Sequence, residues 1–144
     1  MGETYAEITL KNAGDVSNVK RRIIKKAEIR QITVQAMVDT GSTYLVINEK
    51  MRKQLGLQIE ANDEIELADS RITTCKYTEP VTVHWKDRRT VCNAVVMPGA
   101  NEALLGVIPL ESMDLIVDPV DQQLVGKHGD KAIFKAVSIR HVTR

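Results

Sequence analysis

Val34-Gln-Ala-Met-Val-Asp-Thr-Gly-Ser-Thr43 is a strand that ends on a carboxylate. Ile32, Val34, Ala36 and Val38 alternate with Thr33, Gln35 and Met37, and a period of two marks a strand with a buried face. Asp39 therefore stands at a strand end, on a tight Thr40-Gly41 turn. An aspartate in this place accepts hydrogen bonds from the backbone amides just ahead of it, and Gly41 is free to take the positive φ that such a turn can use. Taken alone, these residues describe an Asx turn that closes a strand.

The flanks add more. Asp39-Thr40-Gly41-Ser42, preceded by Met37-Val38 and followed by Leu45-Val46-Ile47, resembles the active-site motif of aspartic proteases. The resemblance continues through Ile47-Asn48-Glu49 and a short helix ending at Leu55-Gly56-Leu57, then resumes downstream at Ala103-Leu104-Leu105-Gly106. That second element is similar to the apolar-apolar-Gly segment which, in retroviral-type proteases, crosses beneath the Asp-bearing loop and leads into a helix. Over roughly residues 30–125 the chain resembles the single-domain, retropepsin-like aspartic proteases of cellular organisms.

The resemblance implies an all-β fold with one or two short helices: a closed retropepsin-like barrel, equivalent to half of a bilobed acid protease, that works as a homodimer. It implies an aspartic endopeptidase that needs no cofactor, with a peptide or protein as substrate. Asp39 would be catalytic. Thr40 would bond across a twofold axis to the partner's backbone, Gly41 would leave room for water and substrate, and Ser42 would hydrogen-bond the outer carboxylate oxygen. Leu104, Leu105 and Gly106 would lie beneath the active-site loop. The hairpin tip Leu67-Ala68-Asp69-Ser70 stands where the family carries the flap that closes over a bound peptide. Here the sequence departs from the retroviral pattern, because no glycine occurs between Gly56 and Gly99. A glycine-free tip is stiffer and allows less close backbone approach. Read without the resemblance, it is a surface hairpin with an Asp-Ser turn. In retroviral relatives terminal strands form the dimer sheet, and residues 132–139 are assigned that task.

One carboxylate is not enough for this chemistry. A bridging water is activated by two facing carboxyls that share a proton, one as base and the other as acid toward the carbonyl oxygen. The chain has a single Asp-Ser/Thr-Gly motif, and 144 residues are too few for two lobes. An active enzyme thus requires two chains with the two Asp39 side chains at a twofold axis. The alternative is a non-catalytic module of the same fold that dimerises or binds peptides, since fold alone does not establish activity.

Composition narrows the remaining classes. With 43% hydrophobic and 27% charged residues the chain is ordinary for one globular domain spanning 1–144, and with only 3% aromatics its core must be built from Val, Ile, Leu, Met and Ala. A net charge of +1 offers no overall field for nucleic acid or an anionic membrane, and neither is expected as a partner. No apolar run approaches the ~20 residues that span a bilayer, and no export signal opens the chain, so a cytoplasmic location is expected. Cys75 and Cys92 are expected as reduced thiols, and His84, His128 and His141 have no neighbours at ligand spacing, so no metal is expected.

In chain order, Thr4–Leu10 reads as a first strand and Asn12-Ala-Gly-Asp15 as its turn. Residues 19–30 carry six basic side chains in twelve. With no aromatic interleaved to stack on bases, they read as an edge strand guarded by charge, the hairpin partner of the Asp39 strand, rather than a nucleic-acid site. Asn48 caps a helix that Gly56 stops. Residues 79–85 and 90–97 form a hairpin around Lys86-Asp87-Arg88-Arg89. A helix with Pro109 in its first turn, a hairpin around 118–121 and a strand over 132–139 complete the expected elements.

Overall fold

The computed structural model describes residues 2–134. Strands β1 (Thr4–Asn12) and β2 (Gln31–Val38) pair antiparallel, from Thr4 opposite Val38 to Lys11 opposite Gln31. β2 has β7 (Leu104–Leu105) as a parallel neighbour, β7 lies antiparallel to β3 (Leu45–Ile47), and β3 runs parallel to β6 (Arg88–Val96). β6 is the hairpin partner of β5 (Ile72–Trp85), and β5 returns to β1 with Asn12 opposite Val81 and Thr9 opposite His84. Six strands thus close into a barrel, which removes the edges an open sheet would expose. β4 (Ile59–Glu66) stands outside the ring and pairs with β5, while β8 (Leu115–Asp118) and β9 (Gln123–Gly126) make a separate two-stranded sheet.

The alternation legible in the sequence is the inner wall. Ala6, Ile8 and Leu10 of β1 and Ala36 and Val38 of β2 meet Val81, Val83, Ala94 and Leu105 in one apolar core. Burying each large aliphatic side chain contributes about 1.5–3 kcal/mol. Helix α2 (Glu49–Leu55) adds Leu55 to that core and is capped as expected, with Asn48 accepting the Met51 N–H at 2.9 Å and Gly56 at φ 64°.

Three elements differ from expectation. Asn12 and Asp15 do not form a turn; they start helix α1 (Ala13–Lys20), so the described chain has three helices, with α3 at Val107–Ser112 and a single 3-10 turn at Lys26–Glu28. The buried Asn12 side chain accepts the Asp15 N–H at 3.0 Å and donates to Leu55 O at 2.9 Å, an N-cap anchored in the barrel. Residues 19–30 are not a strand either. β1 occupies the edge of β2 that such a strand would need, and α1 ends there in a left-handed turn at Arg22, φ 61°. Of the expected strand 132–139, Ala132–Phe134 are irregular and the remainder lies outside the described residues.

Asp15 fastens this substitute for a strand. Arg30 donates to its carboxylate from the backbone N at 3.0 Å and from Nε and Nη2 at 2.9 Å each, and these bonds hold the Asp15 carboxyl below its usual range. A lowered folded-state value means that the stabilisation is present above about pH 4 and is lost as pH falls through the lowered value. Asp15→Ala is expected to cost about 2 kcal/mol at pH 7. Urea unfolding of both proteins should show that difference shrinking in strong acid, and a difference independent of pH would refute the assignment.

The β5–β6 hairpin turns on Lys86-Asp87 alone, and Arg88, expected in the turn, is 7% exposed. Its guanidinium donates to Met113 O at 3.0 Å, Asp114 O at 2.6 Å and Gly129 O at 2.6 Å, so carbonyl dipoles solvate the buried cation. Asp114 in turn accepts the Ile133 N–H at 3.0 Å and lies 2.8 Å from His128 Nδ1, which fastens residues 128–133 to the end of α3.

Candidate active site

Asp39 follows the last residue of β2, and both of its own backbone groups are bonded. Its N–H donates to Leu105 O at 3.0 Å, and its carbonyl accepts the Ser42 N–H at 3.1 Å. The carboxylate Oδ1 accepts the Gly41 N–H at 2.9 Å, the Asx turn foreseen from sequence. Gly41 does not use a positive φ, however; a Cβ there would lie 3.3 Å from Asp39 Oδ1, so the absent side chain leaves the carboxylate its space. Among the described residues the Ser42 hydroxyl makes no bond to Asp39, and Thr40 is exposed. In a single chain Ser42 contributes through its backbone.

The segment assigned beneath the loop lies there. Leu104 and Leu105 pair with Met37 and Val38 on one side and with Val46 and Leu45 on the other, while Ala103 O accepts the Met37 N–H at 2.9 Å. Gly106 then passes under the loop so closely that a Cβ would fall 2.4 Å from Tyr44 O and 2.6 Å from Ser42 O. The Ser42 and Thr43 carbonyls are held in turn by α3: Val107 N–H donates to Ser42 O at 2.8 Å and Ile108 N–H to Thr43 O at 2.9 Å. Loop and helix brace each other, which fixes the direction of the carboxylate.

Two grooves meet at Thr40. One, of about 440 Å³, holds Asp39 with Glu3, Met37 and Pro119 in its walls; the other, about 940 Å³, runs from Thr40 along Val107, Leu110 and Ile116 to Phe134. Glu111, Asp114 and His128 line the larger space, but Asp114 is held by His128 and the Ile133 N–H, and Asp39 lines only the smaller one. Its Glu3 is joined through the Tyr5 hydroxyl (2.9 Å) to Glu102 (3.2 Å), and these carboxylates push the Tyr5 hydroxyl up to about 12. Sequence gave no sign of this anionic border, because its members lie far apart in the chain.

Leu67, Ala68, Asp69 and Ser70 form the tip of the β4–β5 hairpin. Ser70 takes φ 68°, the conformation a glycine would adopt, and Arg71 pairs with Asp69 at 2.6 Å across the turn. Among the described residues no hydrogen bond links the tip to the Asp39 loop. The link runs through the hairpin's base instead. Cys75, Val46 and Val95 form a second apolar cluster with Leu104, and Tyr77 of β5 meets Tyr44 edge-on at 5.5 Å and 87°. β5 shifts register between Tyr77 and Pro80, which is where the projecting arm leaves the barrel.

Cys75 and Cys92 are free thiols, and burial pushes Cys92 up to about 11, far from a nucleophilic thiolate at neutral pH. Among the described residues no cluster of three or more His, Cys, Asp or Glu could hold a metal, and no helix is long and apolar enough to cross a membrane.

The profile of a family described as aspartyl protease matches residues 25–108, which includes the Asp39 loop, the hairpin and Gly106. The chain belongs to this aspartyl protease family. Among solved structures, this aspartyl protease domain is similar to the retroviral protease-like domain of Ddi1 from Leishmania major, at 13% identity and a TM-score of 0.54, covering 87% of this chain and 88% of that one. The likeness establishes a retropepsin-like fold. No curated protein matches the chain.

Proposed function

We propose that two copies of this aspartyl protease domain associate about a twofold axis and hydrolyse peptide bonds with a water held between their Asp39 carboxylates. The observation that carries this reading is the Asp39 carboxylate itself, aimed by the Gly41 N–H at an open groove on a loop braced from below by Leu105 and Gly106. Two carboxyls at the axis cannot both ionise cheaply, so the pair shares a proton: one polarises the water while the other protonates the carbonyl oxygen. In this reading Thr40, which is exposed in the single chain, bonds the partner's loop. The β4–β5 hairpin closes over an extended peptide and adds backbone hydrogen bonds to it.

The dimer sheet is better assigned to β8–β9 than to residues 132–139. The β8–β9 hairpin packs Leu115 and Leu124 into the barrel core but leaves Ile116 and Val120 at 44% and 86% exposure, so pairing with a second hairpin would cover them. The stiff, glycine-free tip with Ser70 in a left-handed conformation favours the second reading, a peptide-binding or dimerisation module without turnover. Incubation with a diverse peptide mixture between about pH 3.5 and 7 separates the two: cleavage with a bell-shaped profile is expected for a shared-proton pair. Binding without cleavage at any pH would leave the module.

A further inference from the structure

The loop after α1 has no part in the proposed hydrolysis, yet it is built firmly. Ile23 N–H donates to Asn18 O at 2.8 Å and Arg22 N–H to Val19 O at 3.0 Å, the two bonds of a Schellman ending, with Arg22 at the left-handed position where glycine is the usual choice. In that motif the next residue ordinarily packs back on the helix, but Ile23 is 66% exposed. Around it stand the exposed Lys20, Arg21, Arg22, Lys25 and Lys26. Among the described residues none of these five side chains is in an ion pair, because Asp15 is taken by Arg30 and Glu28 accepts the Lys25 backbone N–H at 2.8 Å. The chain's net charge of +1 therefore conceals a segment, 20–26, with five cations and no acid.

Its position matters. The loop leads into Gln31, the start of β2, whereas Asp39 follows the other end of the same strand. Eight residues at about 3.3 Å each separate the two by roughly 25 Å. Whatever the loop touches leaves the Asp39 groove accessible.

We propose that this loop docks the protein on an anionic lipid surface, with its cations among the headgroup phosphates and Ile23 inserted between them. Lys and Arg near such a surface strengthen binding by about five-fold each, and an apolar residue amid them supplies the second signal that peripheral attachment needs. Nucleic acid shares the charge complementarity, but residues 13–30 contain no aromatic side chain for base stacking, and an exposed isoleucine has no use there.

Co-sedimentation of the full chain with phosphatidylcholine vesicles, with and without about 30% phosphatidylserine, tests this at about 0.1 M salt. Binding is expected only to the anionic vesicles and should vanish at high salt. Lys25→Glu with Lys26→Glu should weaken it more than about 100-fold, and Ile23→Ser several-fold. Arg22→Gly is the sharpest variant: glycine suits the left-handed turn, so the protein should resist urea better while binding about five-fold less tightly. Asp39→Asn should bind like wild type, so failure here is distinct from failure of the peptidase reading. Absence of anionic-vesicle binding, binding unchanged by the charge reversals, or tighter binding to a 20-mer RNA that ignores Ile23→Ser would each overturn the proposal.

Discussion

Asp39→Asn is expected to lower kcat/KM for the proposed peptide hydrolysis by on the order of 10⁴-fold while leaving the fold and the proposed dimer intact. The amide keeps the shape of the side chain and an Oδ1 acceptor for the Gly41 N–H, so the loop should not move. What it removes is the ability to hold or share a proton. Dimer formation should be as strong or stronger, because two amides facing each other at the axis replace two groups that compete for ionisation. The symmetry of the proposed site allows a test that a one-chain active site fails. When wild type is mixed with an equal amount of the Asn variant and subunits exchange, only about a quarter of the dimers contain two carboxylates, so activity should fall to about a quarter of its value per total dimer. A fall to one half would mean that each chain works alone, and equal cleavage by both pure proteins would remove Asp39 from the mechanism.

Legibility in the sequence followed the range of the interaction involved. β2 and α2 were visible because strand alternation, the Asn48 cap and the Gly56 stop are written in adjacent residues, whereas the segment 104–106 was placed by the family resemblance of Leu104-Leu105-Gly106. Helix α1 was not. Its first residues, Ala13 and Gly14, follow an Asn and precede an Asp, which is turn chemistry locally; the helix is selected by the anchoring of Asn12 on Leu55 and of Asp15 on Arg30. The basic run looked like an edge strand for the same reason, since nothing within it reveals that β1 already fills that edge of β2. Arg88 read as a solvated turn residue because its partners are carbonyls of residues 113, 114 and 129, which no side-chain pattern announces. At the candidate site, Asp39 and its turn were legible, whereas the bracing bonds from Ser42, Thr43, Ala103 and Leu105 are backbone to backbone and carry no sequence signature.

Gly106→Ala tests whether that bracing fixes the carboxylate. Gly106 has φ −91° and ψ −173°, an extended conformation open to any residue, so backbone freedom is not the reason for glycine. Space is. The added methyl would overlap Tyr44 O, Ser42 O and Thr43 C at 2.4, 2.6 and 2.8 Å, and all three are main-chain atoms that cannot swing away. Relief requires either lifting the Asp39 loop or lowering the 104–106 segment. The first breaks the bonds from Val107 and Ile108 to Ser42 and Thr43, and the second breaks the bond from Asp39 N–H to Leu105 O. The expected cost is about 3 kcal/mol or more, roughly a 10 °C fall in Tm for a chain of this length. Gly99 is the control: it has φ 82° with nothing within 4 Å of a Cβ, so Gly99→Ala carries only a backbone penalty of about 1 kcal/mol. If Gly106→Ala melts no lower than Gly99→Ala, the close crossing does not hold the loop, and the aim of Asp39 must come from the partner chain instead.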